Sequence, residues 1–149
     1  MKSKTISTQT AAFHIGHSGT VLQKHYDVSV IIASVLRPTL KRTLHSIFRQ
    51  DFSGQIHILI GIDKSKKSRQ FLYDICKSQP KNCLITVLDL GYSTSVRHGG
   101  LRLAQDGGSL RTTLTYMTNS RYISYLDDDN WWGSQHLSTV LTAIKSQFL

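Results

Sequence analysis

The chain has 149 residues and carries 18 Lys and Arg against nine Asp and no Glu, which gives a formal net charge of +9. Its length suits one domain, and a composition that is 40% hydrophobic and 18% charged excludes an intrinsically disordered chain. The apolar runs are too short to span a membrane and no apolar segment follows Lys2 and Lys4 to form a signal peptide, so we expect a cytoplasmic protein.

The first 26 residues are polar and show no clear hydrophobic period. We predict an N-terminal extension over residues 1–26, either poorly ordered or packed across the edge of a domain that occupies residues 27–149. The extension contains His14, His17 and His25, but their spacing favours no metal site.

Three strands alternate with two helices in the next part of the chain. The predicted elements are strand Val28–Ser34, helix Leu40–Gln50 with Thr39 as its cap, strand Ile56–Ile62, a helix over about Ser68–Ser78, and strand Leu84–Leu88. Helices of this length between strands imply parallel strands with right-handed connections.

The second half of the chain leads to a fourth strand and a last helix. A loop from Gly91 runs into a predicted helix over Val96–Gln105, and the segment Gly107–Asn119 is ambiguous. Aromatic and β-branched residues predict a buried strand over Tyr122–Leu126. The last helix follows Ser134 as its cap, with a predicted buried stripe of Leu137, Val140, Leu141, Ile144 and Phe148.

Three consecutive carboxylates, Asp127–Asp129, follow the fourth strand. Like charges this close cannot lie in an apolar interior without a partner, so the strand ends at water or at a cation. Alternate residues of an extended chain point the same way, which makes Asp127 and Asp129 candidate metal ligands, and their oxygen atoms suit Mg or Mn ions. The alternative is an exposed acidic turn that caps the helix after it.

A doubly wound sheet brings these groups together. In the strand order 3-2-1-4 the winding changes direction between strands 1 and 4. Ser34 then lies beside Asp127–Asp129, Asp63 lies next to them, and Arg97 on its loop can reach the same edge. Carboxylates, a divalent cation and an arginine together suit the binding of a diphosphate.

Four landmarks in this order resemble the N-terminal, nucleotide-sugar-binding part of glycosyltransferase family 2, which has the GT-A fold. They span Val28 to about Ile144. The landmarks are Val28–Ile32 followed by Arg37-Pro38, Asp63-Lys64-Ser65 where the family usually has Asp-Gly-Ser, Val96–Gly100, and the apolar strand with Asp127–Asp129 and a following Trp.

The resemblance implies a doubly wound, mostly parallel α/β sheet of Rossmann-like type. It also implies an enzyme that uses Mn or Mg to transfer a sugar from a nucleoside-diphosphate sugar to a saccharide, lipid or protein acceptor. The implied roles are the base pocket for Ala33 and Ser34, the base or ribose for Asp63, the diphosphate or base for Arg97, the ribose and diphosphate for Asp127 and Asp128, and the metal for Asp129 with Asp127.

Several positions depart from the family pattern. Val35 stands where an aromatic residue often faces the base, Lys64 replaces the Gly after Asp63, and His98 replaces the Asn after Arg97. Family members continue into an acceptor-binding half that supplies the catalytic base, so no base is assigned here. We expect this chain, incomplete at its C-terminus by that comparison, to bind a nucleoside diphosphate without transferring sugar.

Two other functions remain open at this point. One is a noncatalytic protein that binds sugar nucleotides, and the other is a basic nucleic-acid-binding module. Basic charge favours anionic partners in general, including the inner face of a membrane, where the chain would associate peripherally. Aromatic residues do not interleave with the basic clusters, however, which makes nucleic acid the less favoured partner.

Overall fold

The structure is a computed structural model that describes residues 11–16, 25–65, 68–97 and 107–148. Strands and helices alternate along most of this part of the chain. In chain order they are β1 (Ala12–Ile15), β2 (Tyr26–Ser34), α1 (Leu40–Phe48), β3 (Ile56–Ile62), α2 (Gln70–Cys76), β4 (Cys83–Asp89), α3 (Thr94–Arg97), α4 (Gly108–Tyr116), β5 (Ser120–Tyr125) and α5 (His136–Phe148).

The strands form one five-stranded sheet in the order β1-β4-β3-β2-β5. Strands β2, β3, β4 and β5 are parallel to one another, and β1 is antiparallel to β4. The four predicted strands therefore have the predicted order and direction. Because Ser34 pairs with Ile62 and Ile31 pairs with Tyr125, the carboxyl ends of β2, β3 and β5 lie at the same edge of the sheet.

Helices cover both faces of the sheet, which confirms the doubly wound, mostly parallel α/β fold. The larger core joins one face of β2, β3 and β4 to α1, α2 and the start of α5. The smaller core lies on the opposite face, where α4 packs through Leu110 and Leu114 against Ile31 and Leu59. Near-continuous apolar runs in β2 and β3 follow from this arrangement, because a parallel strand covered on both faces must be apolar on both.

Strand β1 lies within the segment that we predicted as an extension. It pairs with β4 through residues such as Phe13, which lies opposite Val87. Phe13 and Ile15 also pack against the larger core. This part of residues 1–26 therefore packs across the edge of the sheet, and the division at residue 26 stays a prediction.

The ambiguous segment Gly107–Asn119 contains helix α4. Its hydrophobic period was hard to read because only Leu110 and Leu114 are buried. The predicted helix over Val96–Gln105 overlaps α3, which ends at Arg97, and residues 98–106 lie outside the described part of the chain.

Three local predictions were wrong. Strand β5 is an edge strand with alternating burial, and Ile123 and Tyr125 are exposed, although Tyr125 lies on the face that carries α4 and its hydroxyl is 2.9 Å from that of Thr115 on this helix. Val140 is exposed, since α5 is buried mainly through Leu137 and Leu141. Thr39 makes no capping hydrogen bond because its backbone is already helical, which turns the side chain away from the free N–H groups.

Among the residues that the structure describes, no helix is both long and apolar enough to cross a membrane. Cys76 and Cys83 are buried, and neither forms a disulfide bond. Burial raises the pKa of both thiols to about 12, so neither is a reactive thiolate near neutral pH.

Two histidines share one hydroxyl group where β1, β3 and β4 meet. The Oγ1 atom of Thr86 lies 2.7 Å from Nε2 of His57 and 2.9 Å from Nδ1 of His14. Tyr26 stacks on the His57 ring with 4.6 Å between ring centroids. Burial, assisted by the nearby His14, lowers the pKa of His57 to about 4.

Acidification should therefore destabilise the fold through His57. The unfolded chain takes up a proton near pH 6.5 and the folded chain only near pH 4, so this stability is complete above pH 6.5 and is lost as the pH falls through 4. We expect about 3 kcal/mol of unfolding free energy to be lost between pH 7 and pH 4. Urea unfolding of wild type and His57→Gln at both pH values measures this, because only the wild type carries the His57 contribution. An equal loss in both proteins would contradict the assignment.

Candidate functional site

A pocket with a volume of about 350 Å³ opens at the carboxyl edge of β2, β3 and β5. Its volume lies within the range of small-molecule sites. The pocket is lined by Ala33, Ser34, Val35, Arg37, Asp63, Gly107, Arg111, Asp127, Asp128 and Asp129. All predicted site residues except Arg97 thus lie in one pocket. Arg97 ends α3, and its side chain is outside the described part of the structure.

Asp128 is the buried member of the acidic triad, which we define as Asp127–Asp129. Its residue is only 5% exposed. The Ser34 hydroxyl donates to its Oδ2 atom at 2.7 Å, and the backbone N–H of Leu36 donates to the same hydroxyl oxygen at 2.8 Å. Because Leu36 already supplies a donor to that oxygen, the hydroxyl proton is directed toward the carboxylate. Ser34 therefore fixes the triad to the end of β2.

Arg37 is the first of two arginines that contact the triad. Its Nη1 atom lies 3.1 Å from Oδ2 of Asp129 and 3.5 Å from Oδ1 of Asp128. From the sequence, Arg37 is only part of the Arg37-Pro38 landmark and is not predicted as a site residue. The signal that could have found it is its position just beyond the carboxyl end of β2, which is the ligand edge of such a sheet.

Arg111 contacts the triad from the other side. Its Nη2 atom lies 2.5 Å from Oδ1 of Asp127. The start of α4 lies close to the end of β2 because residue 107 is a glycine: its φ is 69°, and a Cβ there would lie 2.7 Å from that of Ala33. Arg111 lies in the segment that we found ambiguous, so no sequence signal pointed to it.

Asp63 holds the start of α3 against the sheet. Its two carboxylate oxygens accept hydrogen bonds from the backbone N–H of Thr94 and from the Ser95 hydroxyl, both at 2.8 Å. Its own N–H donates to the carbonyl of Ser34 at 2.9 Å. The carboxylate also lines the pocket, where each oxygen keeps a further lone pair for a ligand.

The triad supplies hard oxygen donors of the kind that Mg and Mn prefer. The side chains of Asp127 and Asp129 are 54% and 49% exposed, so both reach solvent in the pocket. Within the described ranges, no cluster of three or more His, Cys or Asp is placed to hold a metal by itself. Magnesium is commonly held by one or two carboxylates together with substrate phosphates, and these two side chains fit that pattern.

Comparison with solved structures places the fold. The chain is similar to TarS of S. aureus, a glycosyltransferase. The comparison with TarS 1–349 gives a TM-score of 0.63 at 16% sequence identity and covers 80% of this chain and 32% of that one. The comparison with TarS itself gives a TM-score of 0.65 at 15% sequence identity and covers 80% of this chain and 20% of that one. TarS 1–349 in complex with UDP-GlcNAc gives a TM-score of 0.62 at 14% sequence identity, and the match covers 80% of this chain and 31% of that one. This chain therefore spans about a third of those proteins or less.

These likenesses show that the chain shares the α/β fold of the matched part of TarS. No protein-family model matches the chain, and no curated protein sequence matches it. The roles of the pocket residues accordingly stay predictions, although their convergence at one edge of the sheet is observed.

Removal of the Ser34 hydroxyl should destabilise the fold. Ser34→Ala leaves a buried carboxylate with Arg37 as its remaining partner, which costs about 2 kcal/mol. Chemical denaturation at pH 7 measures the loss. Ser138→Ala removes an exposed hydroxyl from α5 and should change stability by less than about 0.5 kcal/mol. Equal stability of Ser34→Ala and wild type would mean that Asp128 does not need this hydrogen bond.

The position of Lys64 yields a prediction of the opposite sign. Its φ is 46°, so its backbone has the left-handed conformation that Gly adopts most easily and other residues adopt rarely. We expect Lys64→Gly to raise the unfolding free energy by about 0.5–1 kcal/mol. The matched variant Lys41→Gly, inside α1, should lower it by about 1 kcal/mol. Thermal denaturation of both variants tests this, and a loss of stability in Lys64→Gly would contradict it.

Proposed function

We propose that the chain is the nucleotide-sugar-binding part of a metal-dependent glycosyltransferase with the family 2 pattern. The observation that carries the proposal is the pocket at the carboxyl edge of β2, β3 and β5, which joins Ser34, Asp63 and the acidic triad. Ligands of open α/β sheets bind at such an edge, where the winding of the sheet changes direction. The lining contains four carboxylates and two guanidinium groups, so it offers both metal ligands and partners for phosphate.

The pocket residues form two groups, one for the base and ribose of the ligand and one for its diphosphate. The base and ribose lie against Ala33, Ser34 and Asp63, where the Asp63 carboxylate accepts hydrogen bonds from N–H or hydroxyl groups. The diphosphate lies toward the triad and the two arginines, since guanidinium groups bind phosphate oxygens in pairs of hydrogen bonds. Arg97 remains a further candidate for the diphosphate or base.

Asp129 and Asp127 would hold the metal, since their carboxylates are exposed in the pocket. A bound Mn or Mg supplies Lewis-acid stabilisation of the negative charge on the departing nucleoside diphosphate. Asp128 keeps the loop that bears both ligands at a fixed distance from β2 through its hydrogen bond with Ser34. The acceptor is a saccharide, lipid or protein, and the residue that deprotonates it is not assigned.

The first donor to test is a uridine diphosphate sugar. Solved structures of TarS include complexes with UDP and with UDP-GlcNAc, and the fold of this chain is similar to theirs. We extend that chemistry to this pocket as part of the proposal.

A protein that binds sugar nucleotides without transferring the sugar is the second candidate. It is favoured by the pairing of the pocket carboxylates, since Asp63 and each member of the triad already contact a donor within the described residues. Incubation with UDP sugars and a panel of saccharide and lipid acceptors separates the two, because product formation above slow hydrolysis requires a transferase.

Asp129→Ala tests the metal role. The variant should bind UDP at least ten times more weakly than wild type when Mn is present, because a metal ligand is lost. When Mn is absent it should bind UDP at least as well as wild type, because no metal contact is lost and a carboxylate that repels the diphosphate is gone. Calorimetric titration with UDP, with and without Mn, measures both. Its pair with Arg37 is half exposed, so the unfolding free energy should change by less than about 1 kcal/mol.

The matched control is Asp74→Ala, which removes an exposed carboxylate from α2, outside the pocket lining. It should bind UDP as wild type does under both conditions. Equal Mn-dependent binding by Asp129→Ala and wild type would show that Asp129 is not a metal ligand.

A further inference from the structure

The two arginines and the two exposed carboxylates of the triad form two ion pairs that bracket the pocket. Arg37, on the β2–α1 loop, contacts Asp129 at 3.1 Å, and Arg111, on α4, contacts Asp127 at 2.5 Å. These carboxylates are the two that the proposed function assigns to the metal. Each candidate metal ligand is therefore in contact with a guanidinium group before any cation arrives.

A divalent cation and a guanidinium group cannot share one carboxylate without repelling each other. A cation that enters alone must displace Arg37 and Arg111 or bind beside them, and either route weakens its binding. A nucleoside diphosphate removes this conflict because its oxygens accept hydrogen bonds from both arginines. The arginines then have a new anionic partner, and the carboxylates become free for the cation.

The exposure of the groups permits such an exchange. The side chains of Arg37, Asp127 and Asp129 are about half exposed and that of Arg111 is 28% exposed, so each ion pair has at least one member in solvent, which weakens it by screening. Asp128 differs, since it is buried and fixed by Ser34. It holds the triad in place while the residues on either side of it change partners.

We propose that Arg37 and Arg111 are exchangeable counter-ions of this site. Without ligand they neutralise Asp129 and Asp127, and on entry of a nucleoside diphosphate with a divalent cation they transfer to the diphosphate oxygens while the carboxylates bind the cation. The inference rests on the proposed function and deepens it. With this exchange, the site binds the cation together with the diphosphate more tightly than it binds the cation alone. The exchange also assigns diphosphate contacts to Arg37 and Arg111, which lie outside the landmark around Arg97.

The test depends on opposite effects in two titrations. In Arg37→Gln and Arg111→Gln, Mn alone should bind about three to ten times more tightly, because its competitor for the carboxylate is gone. UDP in the presence of saturating Mn should bind about ten times more weakly, because a phosphate contact is lost. Electron paramagnetic resonance of free Mn measures the first affinity, and calorimetry measures the second.

Matched controls separate this result from a general loss of structure. Arg121→Gln removes an exposed arginine from β5, outside the pocket lining, and should change neither affinity. Arg37→Lys and Arg111→Lys keep the charge and lose the planar fork, so they should leave Mn binding near that of wild type and still weaken UDP binding. A damaged fold would instead weaken both ligands together.

Each outcome supports or overturns the inference. Opposite shifts in the two affinities support it, whereas shifts in the same direction, or no shift in either variant, overturn it while the proposed function stands. If wild type itself fails to bind UDP with Mn, the proposed function fails and the exchange fails with it. If one glutamine variant does not fold, the other variant and the two lysine variants still decide.

Discussion

A buried carboxylate sets the geometry of this edge of the sheet. Asp128 lies almost completely out of solvent, where an unpaired negative charge would be very costly. Its partners are the Ser34 hydroxyl and, more distantly, Arg37. The hydroxyl in turn accepts a hydrogen bond from the backbone N–H of Leu36. Leu36 has a φ of 60°, which is a strained conformation for this residue, and this hydrogen bond together with the burial of its side chain in the core stabilises it.

This constraint divides the three consecutive carboxylates into two kinds. The middle residue is fixed to β2, and its neighbours in the chain are turned outward into the pocket. A backbone hydrogen bond from Asn130 to the carbonyl of Asp127 closes the turn, and Arg42 donates to the carbonyl of Asp129. The loop is thus held by its backbone and by its central side chain, so its position does not depend on the ion pairs that the outer side chains make with Arg37 and Arg111.

The sheet could be predicted from the sequence because each of its central strands is a short apolar run between clear breaks. Strand order followed from chain order and the doubly wound pattern, and this order brought Ser34, Asp63 and Asp127–Asp129 together before any coordinates. Arg111 could not be predicted in the same way. The position of Arg111 depends on where α4 begins and on how closely Gly107 approaches Ala33. Both are tertiary features that the spacing of apolar residues in the sequence does not show.

The hydroxyl shared by two imidazoles beneath β1 determines their tautomers. Thr86 has a single proton, so it can donate to only one of His14 and His57 and must accept from the other. Nδ1 of His57 is buried without a hydrogen-bond partner among the described residues. A proton on that nitrogen would be a buried donor without an acceptor, so the favoured arrangement places the His57 proton on Nε2, where it is donated to the Thr86 hydroxyl oxygen. The Thr86 hydroxyl then donates its own proton to Nδ1 of His14. Both rings therefore carry their proton on Nε2, and the hydrogen-bonded link between β1 and the sheet has a direction, from His57 through Thr86 to His14.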